Sequence, residues 1–196
     1  MKNQKLSTHI ISGIYKGKRI ELPSLNVTRS SKARLKESFF NVLQFDVMDT
    51  IFIEAFAGSG SIGLEAISRE ASKAYFIEKD KASYTTLVKN CKSIDSKKCQ
   101  TFLGDTFKEL PLILNTLKNA SNEIIVYIDP PFDYREGMQA IYDKCFEMVE
   151  QINNDNIMLI CFEHMSELTM PQTLGKFECT KTKKFGNSSL SYYKTK

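Results

Sequence analysis

The sequence predicts an α/β fold. It is a Rossmann-like, doubly wound sheet of seven strands, mostly parallel and ending in an antiparallel hairpin, behind a small basic hairpin-helix extension. Three observations predict it. From residue 50 to residue 162, five short apolar runs alternate with segments of helical period, the pattern of right-handed βαβ crossovers. The first run, 51–55, bends through Ala57-Gly58-Ser59-Gly60 into the helical spacing of Ile62, Leu64, Ala66 and Ile67. Near the end the pattern changes: runs 176–183 and 190–194 flank Phe185-Gly186-Asn187-Ser188 and read as a closing hairpin.

In chain order, residues 8–22 predict a hairpin, with Ile10, Ile11, Ile14, Ile20 and Leu22 as strand formers and Tyr15-Lys16-Gly17-Lys18 as the turn. Pro23 ends it, and 26–31 read as a polar loop. The spacing of Leu35, Phe39, Val42 and Leu43 predicts an amphipathic helix over 32–45. These divisions give a basic extension, 1–45, and a main domain, 46–196. In the main domain, strand 51–55 leads to helix 61–69, strand 73–77 to helix 81–91, and strand 99–103 to helix 107–117, where Pro111 is an irregularity. Strand 124–128 leads to a long helix over 135–152, and strand 157–162 is followed by Glu163.

Composition narrows the function classes. With 42% hydrophobic and 26% charged residues, the chain is neither extensively disordered nor a membrane protein. It has no apolar run of about 18 residues, and its N-terminus lacks the apolar core of a signal peptide, so the expectation is a cytoplasmic protein without a membrane partner. Five scattered cysteines without a C-x-x-C pair, and only two histidines, read as reduced structural thiols and no metal centre. Charge is unevenly placed: residues 1–40 carry a net +7, residues 176–196 a net +5, and the middle a net −8. Two basic ends around an acidic centre suggest a polyanion held by the ends.

Ligands of such sheets sit at the carboxyl ends of strands. Acidic residues collect there: Glu54, Glu78, Asp105 and Asp129 belong to four consecutive strand ends. Gly58-Ser59-Gly60-Ser61-Ile62-Gly63 matches the dinucleotide pattern G-x-G-x-x-G. Glu54, however, would set a carboxylate near the turn, where a pyrophosphate would be repelled and a cationic amino group or sulfonium favoured. That charge logic points to S-adenosylmethionine, with Glu78 accepting from the ribose hydroxyls and Asp105 from the adenine amine. Asp129-Pro130-Pro131-Phe132 suits methylation of an exocyclic base amine, whose lone pair is delocalised into the ring. The Asp129 carboxylate and Pro130 carbonyl would orient the NH₂, the prolines stiffen the loop, and Phe132 would stack on the base.

These residues carry a resemblance to a known family. Ile10-Ile-Ser-Gly-x-Tyr-Lys-Gly-Lys-Arg19, Arg29…Arg34-x-x-Glu37…Phe40-Asn41, the stretch Phe56 to Arg69, Ile77-Glu78, Asp129 to Phe132 and Lys184-Phe-Gly-Asn…Tyr192-Tyr193 together resemble the RsmD-type 16S rRNA guanine-N2 methyltransferases. The resemblance implies a class I S-adenosylmethionine-dependent methyltransferase that acts on 16S rRNA of the small ribosomal subunit, as a monomer. It implies cofactor positions at Glu54, Phe56, Ala57, Gly58, Ser59, Gly60, Glu78, Lys79, Asp105 and Asp129. Asp129, Pro130, Pro131 and Phe132 are then catalytic, and Arg29, Arg34, Lys16, Lys18 and Arg19 face RNA. Two departures stand out: Glu54 replaces the family's usual Asp, and Arg29-Ser30-Ser31 replaces its Arg-Pro-Thr loop, which removes a stiffening proline. Three alternatives stay open on the residues: a DNA adenine-N6 or cytosine-N4 methyltransferase, a non-catalytic RNA-binding relic, and a nicotinamide dehydrogenase.

Overall fold

In the computed structural model, which describes residues 6–23, 29–131 and 139–196, every residue of the run Ile51–Glu54 is buried. That is the mark of a parallel strand covered on both faces. The elements in chain order are β1 (Ser7–His9), β2 (Arg19–Glu21), α1 (Arg29–Leu43), β3 (Ile51–Glu54), α2 (Ser61–Ser68), β4 (Lys73–Glu78), α3 (Lys81–Ile94), β5 (Cys99–Leu103), α4 (Thr106–Thr116), β6 (Ile124–Ile128), α5 (Gln139–Glu150), β7 (Ile157–Met165), β8 (Thr173–Leu174), β9 (Phe177–Phe185) and β10 (Ser188–Thr195). β1 and β2 pair with each other, and the other strands form one sheet in the order β5-β4-β3-β6-β7-β10-β9-β8. The five strands from β5 to β7 are parallel; β10, β9 and β8 add antiparallel.

The sheet therefore has eight strands where seven are expected. The extra one, Thr173–Leu174, pairs with Phe177 and Glu178 at the edge and is too short to show a period. β7 runs through Glu163 to Met165, three residues past its expected end, because Ser188, Ser189 and Leu190 of β10 pair with Met165, His164 and Glu163. Of the expected polar loop over 26–31, residues 26–28 lie outside the described residues and 29–31 already belong to α1. Serine lacks the apolar period of a helix interior but is compatible with a first turn. α1 stops where Gln44 takes a left-handed φ of 49°. Pro111 lies inside α4, which continues through it.

The core divides between the two faces. On one, Leu35, Phe39, Phe40 and Leu43 of α1 pack with Ile10, Ile20, Phe52, Tyr127 and Tyr192. Phe39 contacts the Tyr127 ring edge-on at 4.9 Å and stacks with Tyr192 at 6.3 Å. Truncating a buried phenylalanine of this kind costs about 3–5 kcal/mol. On the other face, α4 and α5 contribute Leu110, Ile113, Leu114, Cys145 and Val149. The hairpin docks on α2, with Ile11 and Ser12 N–H donating to the Glu65 carboxylate at 2.8 and 2.9 Å and Ile14 N–H to Ser68 O at 2.8 Å. Glu65 is fully buried and also meets Lys36 of α1 at 3.3 Å and Arg69 at 3.0 Å. Among the described residues no helix is long and apolar enough to cross a membrane.

Candidate active site

Strand order reverses between β3 and β6: β4 and β5 extend the sheet one way, β6 and β7 the other. Loops leaving the carboxyl ends of two such strands must diverge to opposite faces, which opens a crevice. Phe56-Ala57-Gly58-Ser59-Gly60 leaves β3 on one side of it. Asp129-Pro130 leaves β6 beside it, through the parallel register Glu54↔Tyr127.

The glycine turn is closed by backbone geometry. Ala57 N–H donates to Ile77 O at 2.9 Å and Gly60 N–H to Ala57 O at 2.7 Å. Gly60 caps α2 in a left-handed conformation, φ 76°, and a Cβ there would lie 2.5 Å from Leu87 Cδ1. A Cβ on Gly63 would lie 2.5 Å from the Phe76 ring and 3.1 Å from Glu54 Oε2. Both positions need glycine, the first for its φ and the second for close approach. Ser59 is buried, and its carbonyl accepts from Asn90 Nδ2 at 2.9 Å. Phe56 packs edge-on against Phe107 at 6.0 Å.

The four carboxylates have different surroundings. Glu54 is buried and accepts from Gly63 N–H at 2.8 Å and Ile62 N–H at 3.4 Å, so it neutralises the positive end of α2. Glu78 is half-buried. It accepts from Gly58 N–H and Asp80 N–H, both at 2.7 Å, with one oxygen each, which locks it beside the turn with further lone pairs available. Asp105 caps α4 through Phe107 N–H at 3.0 Å and pairs with Lys79 Nζ at 2.8 Å. The Lys79 ammonium and that amide hold its carboxyl below the usual carboxylate range. Asp129 is half-buried at the end of β6, with Pro130 buried and Pro131 exposed behind it. Phe132 lies outside the described residues, as does the side chain of Arg29.

The positions expected to face RNA do not gather at one place. α1 runs against the parallel strands: its last residues, Val42 and Leu43, line a small cavity with Met158 and Leu159 at the start of β7. Its first half, with exposed Arg34, therefore points toward the crevice. The turn carrying Lys16 and Lys18 lies instead toward the amino ends of the parallel strands, away from the crevice. Its Tyr15 N–H donates to Ser68 Oγ at 3.0 Å and Lys18 Nζ to Ser93 O at 3.2 Å, at the far ends of α2 and α3. Arg19 is exposed on β2. Lys183 of β9 comes within 3.5 Å of Ser38 Oγ on α1, so the two basic ends of the sequence meet on one surface.

Other buried polar groups at the strand ends give no sequence signal. Tyr127 OH donates to the buried Glu163 carboxylate at 2.7 Å. Tyr142 of α5 is buried, and both phenols are raised above their usual pKa by burial and then by the nearby carboxylates. A strand reads apolar whether or not a tyrosine in it ends on a carboxylate, so only Glu163, as a charge in an apolar run, could have been flagged. A cavity of about 680 Å³ opens between α4 and α5, but it reaches the crevice only through Asp105 and Phe107 and is floored by Leu110, Leu114 and Met148. The Gly58–Gly60 turn, Glu78 and Asp129 do not line it. Among the described residues no group of His, Cys, Asp and Glu could hold a metal ion.

A family model described as Conserved hypothetical protein 95 matches residues 8–194. Ribosomal RNA small subunit methyltransferase D of Haemophilus influenzae is 33% identical over 144 residues, 73% of this chain and 73% of that protein. The chain belongs to the RsmD-type methyltransferase family. The same-named protein of Buchnera aphidicola from Acyrthosiphon pisum is 29% identical over 173 residues, 87% of this chain and 85% of that one. The solved structure of Escherichia coli yhhF superposes on this RsmD-type chain with a TM-score of 0.77 at 26% identity, covering 97% of this chain and 99% of that one.

Proposed function

We propose that this RsmD-type protein transfers the methyl group of S-adenosylmethionine to the exocyclic N2 amine of a guanine in 16S rRNA of the small ribosomal subunit, in the cytoplasm. The observation that carries this reading is the adjacency at the switch point. The Gly58–Gly60 turn with Glu78 and the Asp129-Pro130 carboxylate and carbonyl leave neighbouring strands. The residues present fit the cofactor. Space beside Gly58 is open, so the backbone can be approached closely. The locked Glu78 carboxylate offers remaining lone pairs to a pair of vicinal hydroxyls. Glu54 keeps negative charge beneath the turn, which favours a cation over a pyrophosphate.

When bound, S-adenosylmethionine supplies an electrophilic methyl on a positively charged sulfur. The protein's part is orientation. Asp129 and the Pro130 carbonyl accept the two N–H bonds of the amine. This turns the nitrogen lone pair out of conjugation and toward the methyl, and Asp129 stabilises the positive charge that grows on nitrogen. Pro130 and Pro131 hold both acceptors with little conformational freedom. Phe132 is assigned to stack on the base. Asp105, capping α4, is assigned to the adenine end with Lys79 as its ion partner, and Phe56, Ala57 and Ser59 complete the cradle wall. Arg29 and Arg34 at the start of α1 are assigned to RNA phosphates. Lys183 supports the same assignment by joining the C-terminal lysines to that surface. Arg19 extends it. Lys16 and Lys18 are placed for a more distant phosphate contact. The chain is assigned to act as a monomer.

Mass mapping of methylguanosine in 16S rRNA, with and without the protein, tests the reading. Loss of one N2-methylguanine in cells lacking it, restored by the purified protein with S-adenosylmethionine, is the expected result. An unchanged rRNA map together with methylated adenine or cytosine in DNA would replace it with the DNA-amine reading. No binding heat with S-adenosylmethionine would replace it with an RNA-binding relic.

A further inference from the structure

The parallel register of β6 and β7 pairs Tyr127 with Cys161 and Ile128 with Phe162. Continued by one residue, it sets Asp129 beside Glu163. Within β7, Glu163 lies on the face that carries Cys161, two residues before it, and Tyr127 of β6. The Glu163 carboxylate is buried at 2% exposure and oriented by the Tyr127 hydroxyl at 2.7 Å. Tyr127 is itself fixed by Phe39. The Tyr142 hydroxyl of α5 is also buried. It is raised in pKa by burial and by Asp129, so it stays a neutral O–H donor. A second fixed carboxylate therefore neighbours the residue assigned to the amine.

We infer that Glu163 sets the base specificity of the site, its carboxylate favouring a base edge on which a ring N–H adjoins the exocyclic amine over one on which a ring lone pair does. This rests on the guanine-N2 reading and deepens it. Guanine carries N1–H next to its N2 amine. Adenine has the N1 lone pair next to its N6 amine, and cytosine the N3 lone pair next to its N4 amine. Asp129 and the Pro130 carbonyl serve any of the three amines, since each offers only N–H donors. They do not by themselves choose among bases. A negative charge held beside them does, because it attracts the N1–H dipole and repels a ring lone pair in a site with little water to screen it. Glu163 acts as a specificity-determining positioning residue through its field at Asp129, without forming or breaking a bond.

The test compares guanine with 2-aminopurine, which keeps the C2 amine but has a lone pair at N1. Two otherwise identical 16S rRNA segments carry one or the other at the methylated position. Each is assayed for methyl transfer by the wild-type protein and by Glu163→Gln, and for binding in the presence of S-adenosylhomocysteine. The wild type is expected to prefer guanine strongly, and Glu163→Gln to reduce that preference about tenfold or more in both assays. Because the readout is a ratio within one preparation, partial unfolding of the variant cancels. If the variant turns over neither RNA, the binding ratio alone decides. An unchanged guanine to 2-aminopurine ratio overturns the role of Glu163 and leaves the proposed function standing. Failure of the wild type to methylate guanine N2 at all overturns the proposed function as well.

Discussion

Glu65→Gln is expected to cost about 3 kcal/mol of stability, at the low end of the roughly 3–5 kcal/mol lost when one partner of a buried ion pair is removed. The substitution keeps the length of the side chain and one acceptor oxygen for the Ile11 and Ser12 amides, now 2.8 and 2.9 Å away. What it removes is the charge 3.3 Å from Lys36 and 3.0 Å from Arg69. Arg69 is partly exposed and can turn to water, with the Phe40 ring 4.7 Å below its guanidinium. Lys36 has no such exit: it is 2% exposed, and burial already pulls its pKa below the usual lysine value, with Glu65 the main charge opposing that. Its bond to His9 O, 2.9 Å, does not replace a counter-charge. Urea denaturation followed by circular dichroism measures the loss. With a slope near 2 kcal/mol/M, the midpoint is expected to fall by about 1.5 M at constant slope. The double variant with Lys36→Met should recover most of it, since removing both charges avoids the buried orphan. A loss under about 1 kcal/mol, or a double variant no better than Glu65→Gln, would refute the claim that an uncompensated Lys36 is the cost.

Asp129→Ala should lower methyl transfer at least about a hundredfold while calorimetric affinity for S-adenosylmethionine falls far less; turnover near wild type would remove Asp129 from the amine. Arg29→Ala with Arg34→Ala should weaken RNA binding and reduce the salt slope of log K by roughly 1–2, and an unchanged slope would leave α1 as a cover of the sheet alone. Stability should fall as pH rises above about 9, where thiols and phenols of the unfolded chain begin to ionise. In the folded chain, burial pushes Cys145 up to about 12 and raises Cys161, Tyr127 and Tyr192 too. The native state then holds more protons than the unfolded state, so the slope of unfolding free energy with pH is negative there. A flat stability profile between pH 8 and about 11 would contradict this.

Several features of the site were legible because they are local. A strand, a glycine turn and a helix in immediate succession can be read from 51–69, and Asp129-Pro130 announces a stiff acceptor pair without any partner. The Glu54 assignment was legible in position but not in detail: its oxygens go to the α2 amides, which only a drawn backbone could reveal. Lys16 and Lys18 show the converse. Their charge sits in the same basic segment as Arg34, yet hairpin docking on the far ends of α2 and α3 carries them toward the amino ends of the parallel strands.

The sequence by itself determined the alternation of strands and helices, the glycine turn and the chemistry offered at each strand end. Periods of two and 3.6 residues, turn residues and charged punctuation act over a few positions and survive in any surroundings. Tertiary structure alone decided strand order, and with it every contact between distant residues. Examples are Tyr127 on Glu163, Lys36 on Glu65, the meeting of Lys183 with α1, and the pairing of Ile128 with Phe162 at the neighbouring ends of β6 and β7. The physical reason is that a strand's period states which face is buried but not which strand lies next to it. That choice is made by packing of the whole chain, where buried charges must find partners across separations of tens of residues.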